Sequence, residues 1–423
     1  MKFDYGARGL DLTLDPSWNV SVLKPNEQKG LIDPIKKIRE AIKNPLESKS
    51  LKDILKFKKV LNRICIVVSD STRPVPSHLI LEALIKELNE YGIQDNQILI
   101  LIATGLHRRS KEDELDRILG SDLKNRLKTI DHVATDKNSL NYLGDTQDNI
   151  PIYINKHYLE SDLKIVTGYV EPHFFFGFSG GRKAIVPGIA GEETIRANHS
   201  AKNIASQYSR FGVYKDNLMH RNAIEIAKLV EVDFAINVCI NEKHEIVEVA
   251  AGDIEKIHEK LVGYQQKYIF EEIKDPYDIV VCGNGGYPLD LNLYQAVKSM
   301  AIGEMAVKKG GTIISVNECA DGIGQESFKK LIFSGMSPNV LYDKIMKREI
   351  TTPDQWEIQI LSRILMKAEI VVVSSLNEKE IGNIGLKYAK TIEEGIRISL
   401  EKAIQNAKIL ILPKGPQILP ILK

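Results

Sequence analysis

The sequence lacks the features that mark secreted, membrane-spanning and nucleic-acid-binding proteins. Its 423 residues include only 4 cysteines, widely separated and without a C-x-x-C pair, so neither a disulfide framework nor a zinc knuckle is indicated. There is no apolar N-terminal signal segment and no apolar run of about 18 residues. Lys+Arg number 57 against 56 for Asp+Glu, so no net field attracts nucleic acid or a membrane surface. We therefore expect a cytoplasmic protein with neither of these partners.

Apolar runs that alternate with helical patterns predict an α/β fold. Apolar residues make up 43% of the chain and charged residues 27%, as is ordinary for globular proteins. A helix is predicted over 77–92. Strands that are apolar throughout and alternate with helices indicate mainly parallel sheets covered on both faces. Buried strands are predicted at 64–70, 98–104, 163–168, 234–240, 277–283, 311–317, 369–375 and 407–413.

A polar segment at 271–278 predicts a domain boundary. It carries an Asp-Pro pair and separates a long helical pattern from a new strand. We expect an N-terminal α/β domain over 1–272 and a C-terminal α/β domain over 273–423. Ligands of such sheets bind beyond the carboxyl ends of the strands, so we expect the active site in the cleft between the two domains.

The segment 168–200 combines clustered glycines with His173, His199, Lys183 and four phenylalanines. Clustered glycines indicate backbone with positive φ, or backbone pressed against a ligand. Lys183 follows a Gly-Gly pair among apolar residues, and a dehydrated lysine favours its neutral, nucleophilic form. The alternative is a glycine-rich surface loop with solvated basic residues, which four phenylalanines disfavour.

The segment SDSTRP follows the predicted strand at 64–70 and places Asp70 and Arg73 at a strand end. Pro74 holds the backbone of Arg73 extended, which directs a guanidinium suited to a carboxylate or a phosphate. The alternative is a solvent-facing turn with a local pair between Asp70 and Arg73.

His107 follows the next predicted strand and precedes a helix. Ser110 with Asp113 fits a capping box, which would start the helix there. An imidazole near the positive end of a helix is held more easily in its neutral form, as a general base requires. The alternative is an ordinary polar histidine on a loop.

The segment 282–298 begins with a glycine turn after a predicted strand but lacks G-x-G-x-x-G spacing, which disfavours an NAD-dependent dehydrogenase. Tyr294, Gln295 and Lys298 share one helix face, either solvated or binding an anion. Trp356 has two interpretations, a packing aromatic or, second, a wall of the site.

Together these segments resemble the nickel-pincer-nucleotide lactate racemase family, the racemases and epimerases of 2-hydroxy acids. The resemblance covers nearly the whole chain and implies two α/β domains. It rests on SDSTRPVPSH (69–78), ATGLHR (103–108), HFFFGFSGGRK (173–183), ANHS (197–200), NGGYPLDLNLYQAVK (284–298) and PDQW (353–356).

The resemblance implies a cofactor, a pyridinium-3-thioamide-5-thiocarboxylate mononucleotide joined covalently to Lys183. Its two sulfurs and a ring carbon would hold nickel(II), with His199 as the fourth ligand, and soft sulfur with imidazole suits this ion. Because such a cofactor is built elsewhere, cofactor-maturation enzymes are implied partners.

The resemblance also implies an isomerase that moves hydride reversibly through a 2-keto acid. His107 and His173 would be the acid/base pair. The remaining implied roles are substrate binding by Arg73, Lys298 and Gln295, and cofactor contact by Asp70, Tyr294 and Trp356.

The substrate expected first is lactate, with malate or another short 2-hydroxy acid as the alternative. Phe176 stands where lactate-specific members are expected to carry a smaller residue, and it would trim the pocket only if it faced the cleft. A zinc-dependent hydrolase or lyase using His107, His173 and His199 is the main alternative enzyme, although it leaves Lys183 without a role. A non-catalytic 2-hydroxy-acid sensor is the alternative from another class.

Overall fold

The computed structural model describes residues 1–58, 60–403 and 405–423. The chain divides into two compact units. The central unit comprises Glu27–Gln266, and the terminal unit comprises Met1–Asn26 together with Lys267–Lys423.

The strands occupy the apolar runs of the sequence. Their bounds are β1 (Lys2–Phe3), β2 (Leu10–Asp11), β3 (Asn19–Val22), β4 (Ile64–Ser69), β5 (Ile98–Ala103), β6 (Lys128–Asp131), β7 (Leu140–Asp145), β8 (Pro151–Asn155), β9 (Leu163–Tyr169), β10 (Pro172–His173), β11 (Gly177–Phe178), β12 (Phe234–Ile240), β13 (Ile246–Gly252), β14 (Phe270–Ile273), β15 (Tyr277–Gly283), β16 (Val307–Val316), β17 (Glu369–Val373), β18 (Lys387–Ala389), β19 (Lys408–Leu412) and β20 (Leu419–Leu422).

Several helices begin at a residue whose side chain accepts from their first backbone amides. Asp33, for example, caps the first helix by accepting from the amide of Lys36. The helices are α1 (Pro34–Lys43), α2 (Leu51–Phe57), α3 (Ser77–Glu90), α4 (Glu112–Leu119), α5 (Ser121–Arg126), α6 (Lys156–Leu159), α7 (Glu192–Asn198), α8 (Ala201–Ala205), α9 (Leu218–Leu229), α10 (Ile254–Ile269), α11 (Leu293–Ala306), α12 (Glu326–Ile332), α13 (Pro338–Met346), α14 (Gln355–Lys367) and α15 (Ile392–Leu400).

The central unit is built on a six-stranded sheet in the order β13-β12-β9-β4-β5-β6. All neighbours are parallel except β12 and β13. Side chains of β4, β5 and β9 form one buried apolar core with those of α1 and α3. The prediction of an α/β fold with mainly parallel sheets is confirmed.

The order of this sheet reverses beside β4. From β4 the chain continues to β5 and β6 on one side, whereas β9 and then β12 lie on the other side. Parallel α/β sheets bind ligands outside the carboxyl ends of the strands at such a reversal, because the connecting segments diverge there and leave a crevice. The carboxyl ends of β4, β5 and β9 are therefore the place to look for a site.

The terminal unit is built on a second six-stranded sheet in the order β18-β17-β16-β15-β19-β3, with all neighbours parallel. The edge strand β3 comes from the first 26 residues, and Phe3 is buried in the core of this unit. The prediction that residues 1–272 form one domain is therefore wrong at its start, because strand pairing joins the N-terminal segment to the C-terminal sheet. None of the helices in the described parts of the chain combines the length and apolarity of a membrane-crossing segment.

Candidate active site

Three neighbouring strands of the central sheet each end in a predicted site residue. Asp70 follows β4 directly, and His107 lies in the turn between β5 and α4. His173 lies after β9, on the short antiparallel pair β10–β11, where it is opposite Gly177. Because β9, β4 and β5 are parallel neighbours, these three side chains belong to one edge of the sheet.

Asp70 fixes the orientation of His107. Oδ2 of Asp70 lies 2.7 Å from Nδ1 of His107, and Thr72 donates its hydroxyl to Oδ1 at 2.8 Å. Burial alone would raise the pKa of the Asp70 carboxyl, but the hydrogen bond and charge of His107, with Arg73 and Thr72, outweigh burial and lower it. The ionised carboxylate can only accept, so Nδ1 of His107 carries a proton, and in the neutral ring Nε2 carries the lone pair.

The helix after His107 does not start as predicted. Ser110 donates its hydroxyl to Asp131 at 2.7 Å instead of capping the helix. The N-cap is Lys111, whose amide donates to the side chain of Glu114 at 2.7 Å. The predicted capping box of Ser110 with Asp113 is therefore wrong by one residue, since Glu114 provides the reciprocal acceptor.

His173 has the opposite arrangement of ring nitrogens. Its Nδ1 lies 3.3 Å from the backbone amide of Phe176, which is a donor only. Nδ1 therefore accepts and Nε2 carries the proton in the neutral ring. The edge of Phe175 packs against the imidazole with ring centroids 4.5 Å apart, which holds the ring in place.

The first three glycines after His173, which are Gly177, Gly180 and Gly181, adopt positive φ, one of the two predicted possibilities. Gly177 has φ +78°, and a Cβ there would lie 2.1 Å from the carbonyl oxygen of Val213. Gly180 has φ +74°, and a Cβ there would lie 2.6 Å from the carbonyl oxygen of Tyr169. These glycines let the loop pack against other backbone, which any side chain would prevent.

Lys183 lies in a short 3₁₀ turn, Gly181–Ala184, and is half-buried. Its Nζ lies 4.7 Å from the ring centroid of Phe176, which is fully buried. The ring of His199 also packs on Phe176, with centroids 5.9 Å apart. Phe176 thus supports both Lys183 and His199 from within the core.

His199 ends α7 and is held as a neutral imidazole. Its Nδ1 donates to the carbonyl oxygen of Ile195 at 3.0 Å, so Nε2 carries the lone pair. Burial and then the charge of Lys183 lower the pKa of His199 to about 3, against the opposing effect of that hydrogen bond. A neutral ring whose second nitrogen binds a backbone carbonyl is the usual arrangement of a metal-ligating histidine.

The terminal unit carries the other predicted side chains. On α11, Lys298 donates to the side-chain oxygen of Gln295 at 2.6 Å, as their spacing predicts. Tyr294 is half-buried and donates to Asp354 at 3.2 Å, and Trp356 on α14 hydrogen-bonds to the Tyr294 hydroxyl. Trp356 therefore has a polar partner on the neighbouring helix α11.

A cavity of about 460 Å³ in the central unit contains none of the predicted site residues among its described lining. Tyr214, His220 and His258 form part of its wall. The candidate site is defined instead by the strand ends and by the loop that carries Lys183.

Comparison with known proteins adds to this geometry. The family model "Lactate racemase N-terminal domain" matches residues 5–212, and "Lactate racemase C-terminal domain" matches 273–419. The curated lactate racemase of Thermoanaerobacterium thermosaccharolyticum is 39% identical over 385 residues, which cover 90% of this chain and 89% of that protein. The chain belongs to the lactate racemase family. The lactate racemase of Lactiplantibacillus plantarum is 38% identical over 381 residues, or 89% of each chain.

Solved structures agree with membership of the lactate racemase family. The lactate racemase apoprotein of Thermoanaerobacterium thermosaccharolyticum superposes with a TM-score of 0.91 at 35% identity, covering 99% of each chain. A Thermotoga maritima protein shares the fold, with a TM-score of 0.68 at 20% identity over 94% of this chain and 100% of that one. The resemblance stated from the motifs is thereby confirmed.

The described donor set does not resemble a protein-held zinc site. Within residues 1–58, 60–403 and 405–423, no group of three or more His, Cys, Asp or Glu side chains is placed to hold a metal ion. The alternative of a zinc enzyme on His107, His173 and His199 therefore lacks its ligand set. One neutral imidazole beside a lysine amine suits a metal whose other donors come from a cofactor.

The sequence analysis missed two contacts that shape this lactate racemase site. It placed Asp70 at a strand end with an implied contact to the cofactor, but it did not foresee that the carboxylate orients His107. It gave no role to Arg182, which is fully buried beside Lys183. A charged residue within an apolar, glycine-rich segment was the available signal.

Proposed function

We propose that this protein racemises lactate, interconverting the D and L forms through a planar 2-keto acid. Membership of the lactate racemase family and the names of the curated relatives support an isomerase of this kind. The observation that carries the proposal is the opposite tautomers of His107 and His173 at one sheet edge. Inversion needs one group that takes the hydroxyl proton and another that returns a proton on the opposite side.

Proton transfer is the task proposed for the two histidines. Nε2 of His107 would accept the hydroxyl proton of one enantiomer and become an imidazolium. Nε2–H of His173 would give its proton to the carbonyl oxygen as the other enantiomer forms, and His173 would regain a proton from His107 through solvent before the next turnover. The roles exchange in the reverse direction. When bound, the cofactor would supply an electron-poor carbon that takes the C2 hydrogen as hydride and gives it back. Acid–base assistance of this kind contributes about 10²–10⁴ in rate.

Arg73 and Lys298 are proposed to bind the substrate carboxylate. Gln295 would orient Lys298, since it accepts from the ammonium at 2.6 Å. Phe176 is fully buried under Lys183 and His199, so its size gives no reason to prefer malate over lactate. Lactate therefore stays first, with malate or another short 2-hydroxy acid as the alternative.

Lys183 is proposed to be the covalent attachment point of the nickel-pincer nucleotide, with His199 as the protein ligand of nickel(II). The neutral His199 ring with its lone pair on Nε2 supports the second assignment. Tyr294 and Trp356 are proposed to line the cofactor, and Asp70 to lie beside it while orienting His107. Cofactor-maturation enzymes are the proposed partners. A cytoplasmic location is proposed because the four cysteines are buried and free.

The test is intact-mass spectrometry of protein matured with the cofactor-building enzymes, combined with metal analysis and chiral chromatography. We expect an adduct on Lys183, one nickel per chain and interconversion of the lactate enantiomers. The Lys183→Ala variant should lose both the adduct and the activity. Racemisation by protein with an unmodified Lys183 would contradict the proposal. Stoichiometric zinc with hydrolase activity would favour the zinc enzyme, and ligand binding without interconversion would favour the sensor.

A further inference from the structure

Arg182 folds back onto the loop that joins His173 to Lys183. Its guanidinium is fully buried and donates to three carbonyl oxygens of that loop. Nη1 donates to Ser179 at 3.2 Å and to Gly180 at 3.1 Å, and Nη2 donates to Phe176 at 3.1 Å. A planar fork of donors is required to reach carbonyls that face it from several directions, and a lysine ammonium cannot reproduce this pattern.

His258 on α10 provides a fourth acceptor for Arg182. Nε2 of His258 lies 2.7 Å from Nη1 of Arg182 and 3.1 Å from the carbonyl oxygen of Ser179. A guanidinium can only donate, so the shorter of the two contacts assigns the lone pair to this imidazole nitrogen. His258 is buried and stacks on His220 with centroids 5.6 Å apart. Burial, the Arg182 charge and His220 hold the pKa of His258 well below its ordinary value, so the ring stays a neutral acceptor.

The same guanidinium is connected to Lys183 through one aromatic ring. Cζ of Arg182 lies 5.0 Å from the centroid of Phe176, and Nζ of Lys183 lies 4.7 Å from it. The amide of Phe176 also donates to Nδ1 of His173. A change in the Arg182 contacts would therefore displace the ring beneath the Lys183 amine and the amide that sets the His173 tautomer.

We propose that Arg182, anchored by His258, is a positioning residue that holds the Lys183 amine and the His173 ring in their working places. The catalytic roles of Lys183 and His173 rest on the proposed function, whereas the anchoring of their loop by Arg182 does not depend on it. A merely structural arginine would stabilise the core without controlling the accessibility of Lys183. The two roles are therefore separated by measuring Lys183 itself.

The experiment uses the full-length protein without cofactor and a limiting amount of acetic anhydride at one fixed pH. Peptide mass spectrometry gives the acetylation rate of Lys183 relative to the exposed Lys202. The test variants are Arg182→Lys, which loses the fork, and His258→Phe, which keeps a ring but loses the acceptor. His258→Gln retains an acceptor. Arg39→Lys is the matched control, because Arg39 donates to the buried Glu87 at 2.6 Å in the same unit.

We expect Lys183 acetylation to rise about fivefold or more in Arg182→Lys and His258→Phe, as expected when a hydrogen bond that holds the loop is lost. His258→Gln and Arg39→Lys should stay within about twofold of the wild type. Far-UV circular dichroism checks that each variant is folded. The proposal is overturned if Lys183 reacts at the wild-type rate in both test variants, or if Arg39→Lys changes it equally. If Arg182→Lys does not fold, the proposal is judged by the Lys183 acetylation rates of His258→Phe and His258→Gln, and equal rates in these two variants would overturn it.

A second measurement keeps this proposal distinct from the proposed function. After incubation with the maturation enzymes, the fraction of chains with an adduct on Lys183 should fall in His258→Phe and recover in His258→Gln. If matured wild-type protein racemises lactate without that adduct, the covalent attachment is wrong. The acetylation rates still decide whether Arg182 positions Lys183.

Discussion

Oδ2 of Asp70 lies 2.7 Å from Nδ1 of His107, so Nδ1–H donates to the carboxylate and, in the neutral ring, Nε2 keeps the lone pair. His173 is set the other way, because its Nδ1 accepts from the amide of Phe176. Two imidazoles that follow strands on either side of β4 thus present opposite tautomers in their neutral forms. Each state is imposed by a partner outside the ring, so it can be altered without removing the histidine.

Asp70→Asn should impair catalysis while leaving the cofactor bound. The amide can donate to Nδ1 of His107, which would stabilise the tautomer with the proton on Nε2 and remove the base. We expect kcat to fall by about 10²–10⁴. Initial rates in both directions measure this, with Thr72→Val as the control. Thr72 contacts only the other carboxylate oxygen in the described structure, so we expect less than about tenfold loss there. Wild-type rates in Asp70→Asn would contradict the assignment.

Alanine variants of the three histidines should differ in their nickel content. His199→Ala should lose nickel, since the variant removes the proposed ligand. His107→Ala and His173→Ala should retain about one nickel per chain and lose roughly 10²–10⁴ in turnover. Inductively coupled plasma mass spectrometry and chiral assays on the same preparations test this. If His199→Ala kept its full nickel content and its full activity, the assignment of His199 as a nickel ligand would be wrong.

Gly177→Ala should destabilise the central unit more than Gly92→Ala. Both glycines have positive φ, +78° and +89°, so both variants carry backbone strain of about 1–2 kcal/mol. A Cβ at Gly177 would also lie 2.1 Å from the carbonyl oxygen of Val213, whereas nothing lies within 4 Å at Gly92. We expect Gly177→Ala to lower the free energy of unfolding by about 1–3 kcal/mol more than Gly92→Ala does. Urea denaturation of both variants measures the difference, and equal losses would contradict the close approach.

Stability should fall when the pH drops below about 6.5, before the carboxylates titrate. Four buried histidines have pKa values that burial, the largest cause in each, lowers in the folded state. The unfolded chain therefore binds more protons below its own histidine pKa, and each group can cost up to about 1.4 kcal/mol per pH unit. The groups are His132, with a pKa lowered to about 4, His199 and His220, lowered to about 3, and His258, lowered well below its ordinary value.

Urea midpoints measured between about pH 7.5 and 5 test this dependence. The stability should be constant at the upper end and decline steadily below about pH 6.5. His132→Gln should reduce the slope, because a glutamine cannot take up the proton. A midpoint that is flat down to about pH 5 would show that these rings are already protonated or exposed in the folded protein.

The local pattern of apolar residues predicted most buried strands, but it did not predict every pairing between strands. The bounds of β12 and β15 match the sequence prediction residue for residue, because continuous apolar runs bounded by polar residues have few other solutions. The short β3 gave no comparable signal, and its pairing with β19 joins residues that are distant in the chain. The start of α4 was misplaced because its reciprocal cap uses a backbone amide, which any residue can provide.

The candidate site shows the same difference between local sequence signals and long-range contacts. Asp70, His107 and Lys183 were singled out because each stands at a strand end or beside a glycine turn. The contact between Arg182 and His258 spans 76 positions and leaves no periodic trace, so only the folded chain brings the pair together. The roles of the site residues stay predictions until the variants above are measured.

The pairing of β3 with β19 has a consequence for the order of assembly during synthesis. The edge strand β3 is synthesised long before β19, the strand with which it pairs. It therefore has no pairing partner while Glu27–Gln266 is synthesised and folds. The six strands of the terminal sheet can all be paired only after translation has passed residue 412, where β19 ends. Truncation shortly before that point would leave a finished central unit beside an unfinished one with exposed strand edges.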